Sequence, residues 1–283
     1  MNNALDIINK ALDNFSKTNY ALKFGKQVAK LNVIGFDVQQ NIQSYDFYTP
    51  NGNYSQSWST SPFLSTKDRF YDDKSGNIIV YQVNGNKMMQ DVEPVTLDYD
   101  SFILKYGKLP IRKYLVENKF LSKDYLVHDH FLSFDNKDIQ NKNDNSRIVF
   151  GSIIYDLREE VIEKSDIVTL DDGFYKVSFD LDVRYALDYY ATQMLNTGSL
   201  YEYPKFKASH IEFIVDKNFN IVSCNCHDEF NSKTGFISAK VSMDSSLVFL
   251  TSNSSEFIYN GKKVKLEIPK ANSPFNGSEL FEN

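Results

Sequence analysis

"KASHIEFIVDKNFNIVSCNCHDEFNS", residues 207–232, decides the fold. Two strand-like runs are joined by a short polar turn, the pattern of an antiparallel meander. "GFISAKVSMD" (235–244) and "SSLVFLTS" (245–252) continue it as further strands. On a strand, residues two apart share a face. Cys224 and Cys226 therefore point together with Val222, Asp228 and Phe230, and His227 points the other way with Ser223 and Asn225.

The stretch holds both cysteines of the chain and one of its four histidines, so metal and redox chemistry have to be weighed. A structural zinc site takes four ligands, commonly in C-x(2–4)-C pairs. Here the spacing is C-x-C and no second pair exists. A thioredoxin-like dithiol needs C-x-x-C at a helix start. Thiols two apart on one strand also bond poorly to each other, because their Cα atoms lie near the limit of ~7 Å. The pair reads as two small buried hydrophobes, with metal ligation and redox chemistry as the alternatives.

Outward from this stretch, the N-terminus offers an amphipathic helix. Ala4, Leu5, Ile7, Ile8, Ala11, Leu12 and Phe15 form one apolar stripe, opposite Asp6, Asn9, Lys10, Asp13 and Asn14. Asn2 or Asn3 is the expected cap. Strand-like text follows: "FDVQQNIQSYDFYT" (36–49) meets a turn at "PNGN", and "YSQSWST" continues beyond it. "DRFYDD" and "NIIVYQVNG" flank "DKSG" as a hairpin, and "DIVTLDDGFYKVSFDL" (166–181) turns at Asp172 and Gly173. "SFILKYG" and "LPIRKYLVEN" read as short helices, "DYLVHDHFLSF" (124–134) and "RIVFGSIIYDL" (147–157) as strands. A second amphipathic helix is expected over "DVRYALDYYATQMLNTG" (182–198), capped by Asp182 and ended by Gly198. The expected class is α+β: a curved, mainly antiparallel sheet with both helices packed on one face. It forms a single domain over 1–283, or two sub-lobes, 1–134 and 147–283, joined by the polar loop 135–146.

Composition excludes several functions. The chain has 283 residues, 42% hydrophobic and 24% charged, with net charge −6, which is globular and neither disordered nor membrane-embedded. No basic stripe is present to track phosphates, so nucleic acid is not an expected partner. The same charge balance argues against electrostatic docking on anionic lipid. No stretch approaches the ~20 apolar residues of a membrane span. "MNNALDIINKALDNF" has neither a basic start nor a continuous apolar core, so it is not a signal peptide. Two settings remain: cytoplasmic, or extracytoplasmic after removal of an export segment that carried a lipid anchor.

Catalytic signatures are absent. There is no G-x-S-x-G elbow, no H-E-x-x-H and no glycine-rich phosphate loop; the chain has only twelve Gly. "DNKDIQNKNDNS" lacks the central Gly and closing Glu of a calcium loop. His128 and His130 share a strand face and are weak metal candidates with Cys224 and Cys226, joined by His210 or His227 across the sheet. The acids of "LREEVIEKSD" (157–166) read as a solvated face. No cofactor is expected.

The informative excess is aromatic: 22 Phe and 18 Tyr. Tyr185, Tyr189, Tyr190 and Met194 on the second helix, with Phe213 and Phe230 on strands, are candidate walls of an apolar cavity. A solid core is the plainer reading. The order of an N-terminal helix "ALDIINKALDNFSK", an "IIVYQVNG"-type hairpin and "YPKFKASHIEFIVDKNFNIVSCNCHDEF" resembles, in layout, extracytoplasmic lipoproteins of Gram-positive bacteria. It is also similar to the lipoprotein-carrier fold of the LolA and LppX type. That resemblance implies a curved antiparallel sheet closed by helices over a cavity for acyl chains. The function expected is non-enzymatic, extracytoplasmic binding of an apolar or lipid-like molecule, with membrane contact only through a removed anchor. The alternatives are an interaction or adhesion module using an aromatic sheet face, and a metal- or carboxylate-dependent hydrolase.

Overall fold

The computed structural model describes residues 3–72, 74–88, 91–98, 101–102, 159, 162–183, 204–234, 237–259 and 261–265. Helix α1 spans Ala4–Lys17 and starts where the sequence places it. The Asn3 side chain accepts from the Asp6 amide at 2.8 Å, and the Asp6 carboxylate accepts from the Asn3 amide at 3.2 Å. This reciprocal capping satisfies two amide donors that the first turn leaves open. Thr18 leaves the helical conformation and returns its amide and hydroxyl to the Phe15 carbonyl. The apolar stripe is buried, with Ile8 and Ala11 fully so. Burying each large stripe residue contributes about 1.5–3 kcal/mol.

Eleven strands form one antiparallel sheet. In chain order they are β1 Tyr20–Val33, β2 Phe36–Thr49, β3 Gly52–Thr60, β4 Ser65–Asp72, β5 Asn77–Asn84, β6 Val95–Asp98, β7 Ile162–Thr169, β8 Tyr175–Leu181, β9 Lys205–Val215, β10 Ile221–Thr234 and β11 Ile237–Ser252. The spatial order is β6-β5-β4-β3-β2-β1-β11-β10-β9-β8-β7. Two meanders therefore meet at the central pair of β1 and β11, matched from Tyr20–Ser252 to Val33–Ala239. The α+β class with a dominant curved antiparallel sheet holds. The second helix, residues 184–198 of it, lies outside the described residues, as do the strands expected at 124–134 and 147–157 and the loop 135–146.

Three local features differ from the sequence reading. Central strand β1, "YALKFGKQVAKLNV", carries three lysines and no turn signal, and periodicity alone did not single it out. The runs 235–244 and 245–252 are not two strands: β11 continues unbroken through Ser245 and Ser246, which pair with Gln27 and Lys26. Two serines without Gly or Pro do not make a turn when both neighbouring strands are long enough to hold them in a ladder. Ile221, not Val222, joins the core, because a register shift between Ile221 and Ser223 opposite β9 inserts one extra residue.

α1 lies across β7, β8 and β10, and this side is the inner face. Phe15 meets Phe249 of β11 edge-on at 6.0 Å. Asn14 donates to the carbonyls of Asn218 and Phe219 in the β9–β10 turn, and the Lys10 ammonium sits 5.0 Å from the Phe219 ring. The helix is thereby tied to one end of the sheet. On the outer face, a short hairpin of β12 Glu256–Tyr259 and β13 Lys262–Lys265 covers a second apolar cluster of Leu22, Phe47, Tyr54, Leu250 and Val264.

Candidate ligand surface on the inner face

Inner-face residues follow from register. One row runs across five strands as Val38, Leu31, Val241, Phe230 and Phe206, each the ladder partner of the next. Val241 and Phe230 are buried, Leu31 and Val38 half-buried. Behind this row, on the outer face, a polar groove of about 590 Å³ is walled by Lys30, Asn32, Asp37, Glu229, Lys240 and Ser242. On the inner face, half-buried Leu31, Val38 and Phe206 leave apolar surface at the end of β1 away from α1's tie to the β9–β10 turn.

Elsewhere the inner face is closed. Phe213 stands opposite Cys224 and Val177, and meets Phe179 edge-on at 6.3 Å. All four side chains are fully buried or nearly so. Phe230 thus belongs to the apolar row at the end of the inner face, and Phe213 to the packed core. Tyr185, Tyr189, Tyr190 and Met194 lie outside the described residues, as do His128 and His130.

The strands β1 to β4 bring polar groups to the same face. Lys23, Asp46 and Ser55 are successive ladder partners, all buried. The Lys23 ammonium is 2.9 Å from the Asp46 carboxylate, with side-chain exposures of 1% and 0%. Ser55 donates its hydroxyl to the other Asp46 oxygen. Asn53 donates to Asp72 one row away at 3.4 Å. Burial pushes the Asp68 carboxyl above its usual range, against a hydrogen bond from Gln82 that favours the charged form. Sequence reasoning missed this group. Lys23 appears there as one charge in the apolar run "YALKF", which does not reveal a partner 23 residues away.

The thiols answer their question by position. Cys224 and Cys226 are free and buried on the inner face, with their sulfurs 3.6 Å apart. Burial, above all, holds the Cys224 thiol well above its ordinary value; Cys226, Asp228 and Glu212 push the same way. A thiol kept protonated is neither a good nucleophile nor a ready metal ligand.

Histidines do meet, on the outer face. His210 of β9 stands directly opposite His227 of β10. Asp180 of β8 is opposite His210, and Asp244 of β11 is opposite His227, so a four-strand row reads Asp, His, His, Asp. Each imidazole Nδ1 is 2.6 Å from its aspartate. The hydrogen bond to Asp244 chiefly raises the His227 pKa; Glu229, 3.5 Å from Nε2, adds to it and partial burial opposes it. Among the described residues no three His, Cys, Asp or Glu side chains are arranged to hold a metal ion. The aromatic rings of the outer face are largely covered: Phe24 stacks on Tyr45 at 4.9 Å, and Tyr54 and Tyr81 flank the Arg69 guanidinium. All four rings are buried.

No family model matches the chain, and no curated protein matches it. Among solved structures, it is similar to a DUF1329 family protein from Desulfovibrio piger, at 10% identity and TM-score 0.26, covering 88% of this chain and 94% of the other. It is also similar to a candidate outer membrane lipoprotein-sorting protein domain from Vibrio parahaemolyticus, at 6% identity and TM-score 0.24, covering 88% and 93%. Among the described residues no helix is long and apolar enough to cross a membrane.

Proposed function

We propose that the protein binds an amphipathic, lipid-like molecule against the inner face of the sheet and performs no chemistry on it. The observation that supports this reading is the apolar cross-strand row Val38–Leu31–Val241–Phe230–Phe206, in which Leu31, Val38 and Phe206 are only half-buried. Such a row offers apolar contact to a hydrocarbon chain. An extracytoplasmic setting, with anchoring through a lipid on a removed N-terminal segment, belongs to the same proposal and is supported by the layout of the sequence.

Titration with a dansylated fatty acid tests it. Blue-shifted, saturable emission is expected, and Val241→Trp and Leu31→Trp, which crowd the inner-face row, abolish it while circular dichroism stays unchanged. Native mass spectrometry of protein purified from its own source is expected to show a co-purifying lipid. Folded protein that never binds the probe, or crowded variants that bind it as well as the wild type, would sink the proposal.

A further inference from the structure

Ten large apolar side chains stand well exposed among the described residues, and six of them gather at one end of the sheet. They are Ile34 and Phe36 at the β1–β2 turn, Phe63 and Leu64 at the β3–β4 turn, Met88 after β5, and Ile237 at the start of β11. The antiparallel order explains the clustering: β1, β3, β5 and β10 all run toward this end, so their turns share it. At the opposite end the turns "PN" at 50–51 and "KSG" at 74–76 are polar, and the exposed apolar side chains there are Val168 and Leu170 beside the β7–β8 turn and Ile258 of the β12–β13 hairpin.

Folding does not require these side chains. Phe63 is 82% exposed, and Ile34 and Phe36 are 75% exposed. Ile34 also sits at φ 50° beside Gly35 at φ 84°. Two successive positive φ angles make a tight hairpin turn that Asn-Gly would serve better. A β-branched residue there is strained. The turn keeps an unfavourable residue whose side chain touches little of its own chain.

Charge points to the partner. At this end, across β1, β2, β5 and β9 to β11, lie Lys30, Lys87, Lys205, Lys207, Lys233 and Lys240, against Asp37, Asp91, Glu93 and Glu229. Among the described residues the local excess is positive, although the whole chain carries −6. On the β7–β8 flank Glu163, Asp180 and Asp182 outnumber Lys164, so the basic zone is central. Whole-chain charge hides this reversal. Aromatic and aliphatic tips ringed by lysines match the interface of an anionic bilayer, where rings sit at headgroup depth and each lysine near the surface is attracted.

We infer that this end of the sheet docks on an anionic lipid bilayer, with Ile34, Phe36, Phe63, Leu64 and Ile237 entering the interface and the lysines meeting headgroups. The inference stands on the turns and their charge, independently of whether the inner face holds a ligand.

Co-sedimentation with vesicles tests it, using phosphatidylcholine alone and with about 30 mol % phosphatidylglycerol. Binding to the anionic vesicles is expected, weaker on the neutral ones and reduced between about 0.1 M and about 0.5 M salt. Ile34→Asn with Phe36→Ser and Phe63→Ser is expected to weaken binding at least about tenfold. Ile34→Asn suits the turn, so the variant should fold, and circular dichroism verifies that. Val168→Ser with Leu170→Ser, at the other end, is expected to leave binding unchanged. The Leu31→Trp protein should still bind vesicles, and the turn variant should still bind the dansyl probe in solution, which separates the two proposals. Wild-type protein that ignores anionic vesicles, or a turn variant that binds undiminished, overturns the inference. So does self-association in sedimentation velocity that disappears in the turn variant, which would make the turns a contact between copies.

Discussion

Replacing Lys23 with Met leaves Asp46 charged, buried and without its cation. The Lys23 ammonium lies 2.9 Å from Asp46 Oδ2, and neither side chain reaches solvent. Removing one partner of such a pair costs about 3–5 kcal/mol, because the remaining charge keeps its desolvation penalty. A domain of this kind has about 5–15 kcal/mol to lose, so Lys23→Met should bring the protein close to its unfolding threshold. Lys23→Met with Asp46→Leu removes both charges. An apolar replacement of a buried pair is neutral or stabilising by about 1–4 kcal/mol. Against that stands the Ser55 hydroxyl, which loses its acceptor at a cost of about 1–3 kcal/mol. The double variant should therefore lie within about 2 kcal/mol of the wild type, far above the single one. Guanidinium denaturation followed by circular dichroism measures all four corners of the cycle, Asp46→Leu included. A loss below about 1 kcal/mol for Lys23→Met would place the pair in the class of solvated ion pairs and refute its being dry.

Two further outcomes follow from the described side chains. Because the His227 pKa is raised in the folded protein, its contribution to stability is fully present below its ordinary value of 6.5 and is lost as pH rises through the folded value. Stability measured from acid to mildly alkaline pH should fall over that window in the wild type and less in His227→Gln; equal slopes would remove the Asp244 contact as the cause. The effect is small, since His227 is 40% exposed and solvent screens the pair. The Cys224 and Cys226 thiols should react with a disulfide reagent no faster than the protein opens, so the labelling rate should rise with denaturant; fast labelling of the native protein would contradict their burial.

The parts of this architecture that were legible from sequence share one property: their signal is local. The α1 stripe repeats within four residues, Asn3 and Asp6 cap each other within a turn, and Asp172–Gly173 announces its own hairpin. Cys224, Cys226, Asp228 and Phe230 were assigned to one face by alternation alone, and they share it. What escaped depends on distant partners. β1 reads as a mixture of lysines and hydrophobes because both its faces are covered over part of its length, by different neighbours, so simple alternation fails. His210 and His227 are separated by 17 positions, and only the exact register of β9 on β10 sets them opposite each other. A shift by one residue would have placed them on opposite faces. The Ile221–Ser223 irregularity is such a shift, and it is why Val222 was put on the wrong side.

The inner-face row and the turns occupy the same end of the sheet, and their proximity has an energetic consequence. Leu31 belongs to the row, and three residues further along the chain Ile34 projects from the turn. Val241 of the row and exposed Ile237 are likewise four residues apart on β11. At about 3.4 Å per residue, row and tips are separated by roughly 10–14 Å, less than the length of an extended acyl chain. An acyl chain crossing open water exposes its methylenes at a cost of about 0.8 kcal/mol each. With the turns seated in a bilayer, the row lies close to the headgroup layer, and most of that exposure is avoided. The polar groups of β1 to β4 fit this division of labour. Lys23 and Asp46 lie some eight residues further down their strands than Leu31 and Val38, away from the apolar row. There a buried ion pair fixes the pairing of β1 with β2, because slippage by one residue would leave both charges without partners. Register is thus held at one end by charge, and the alignment of the apolar row at the other end depends on that register.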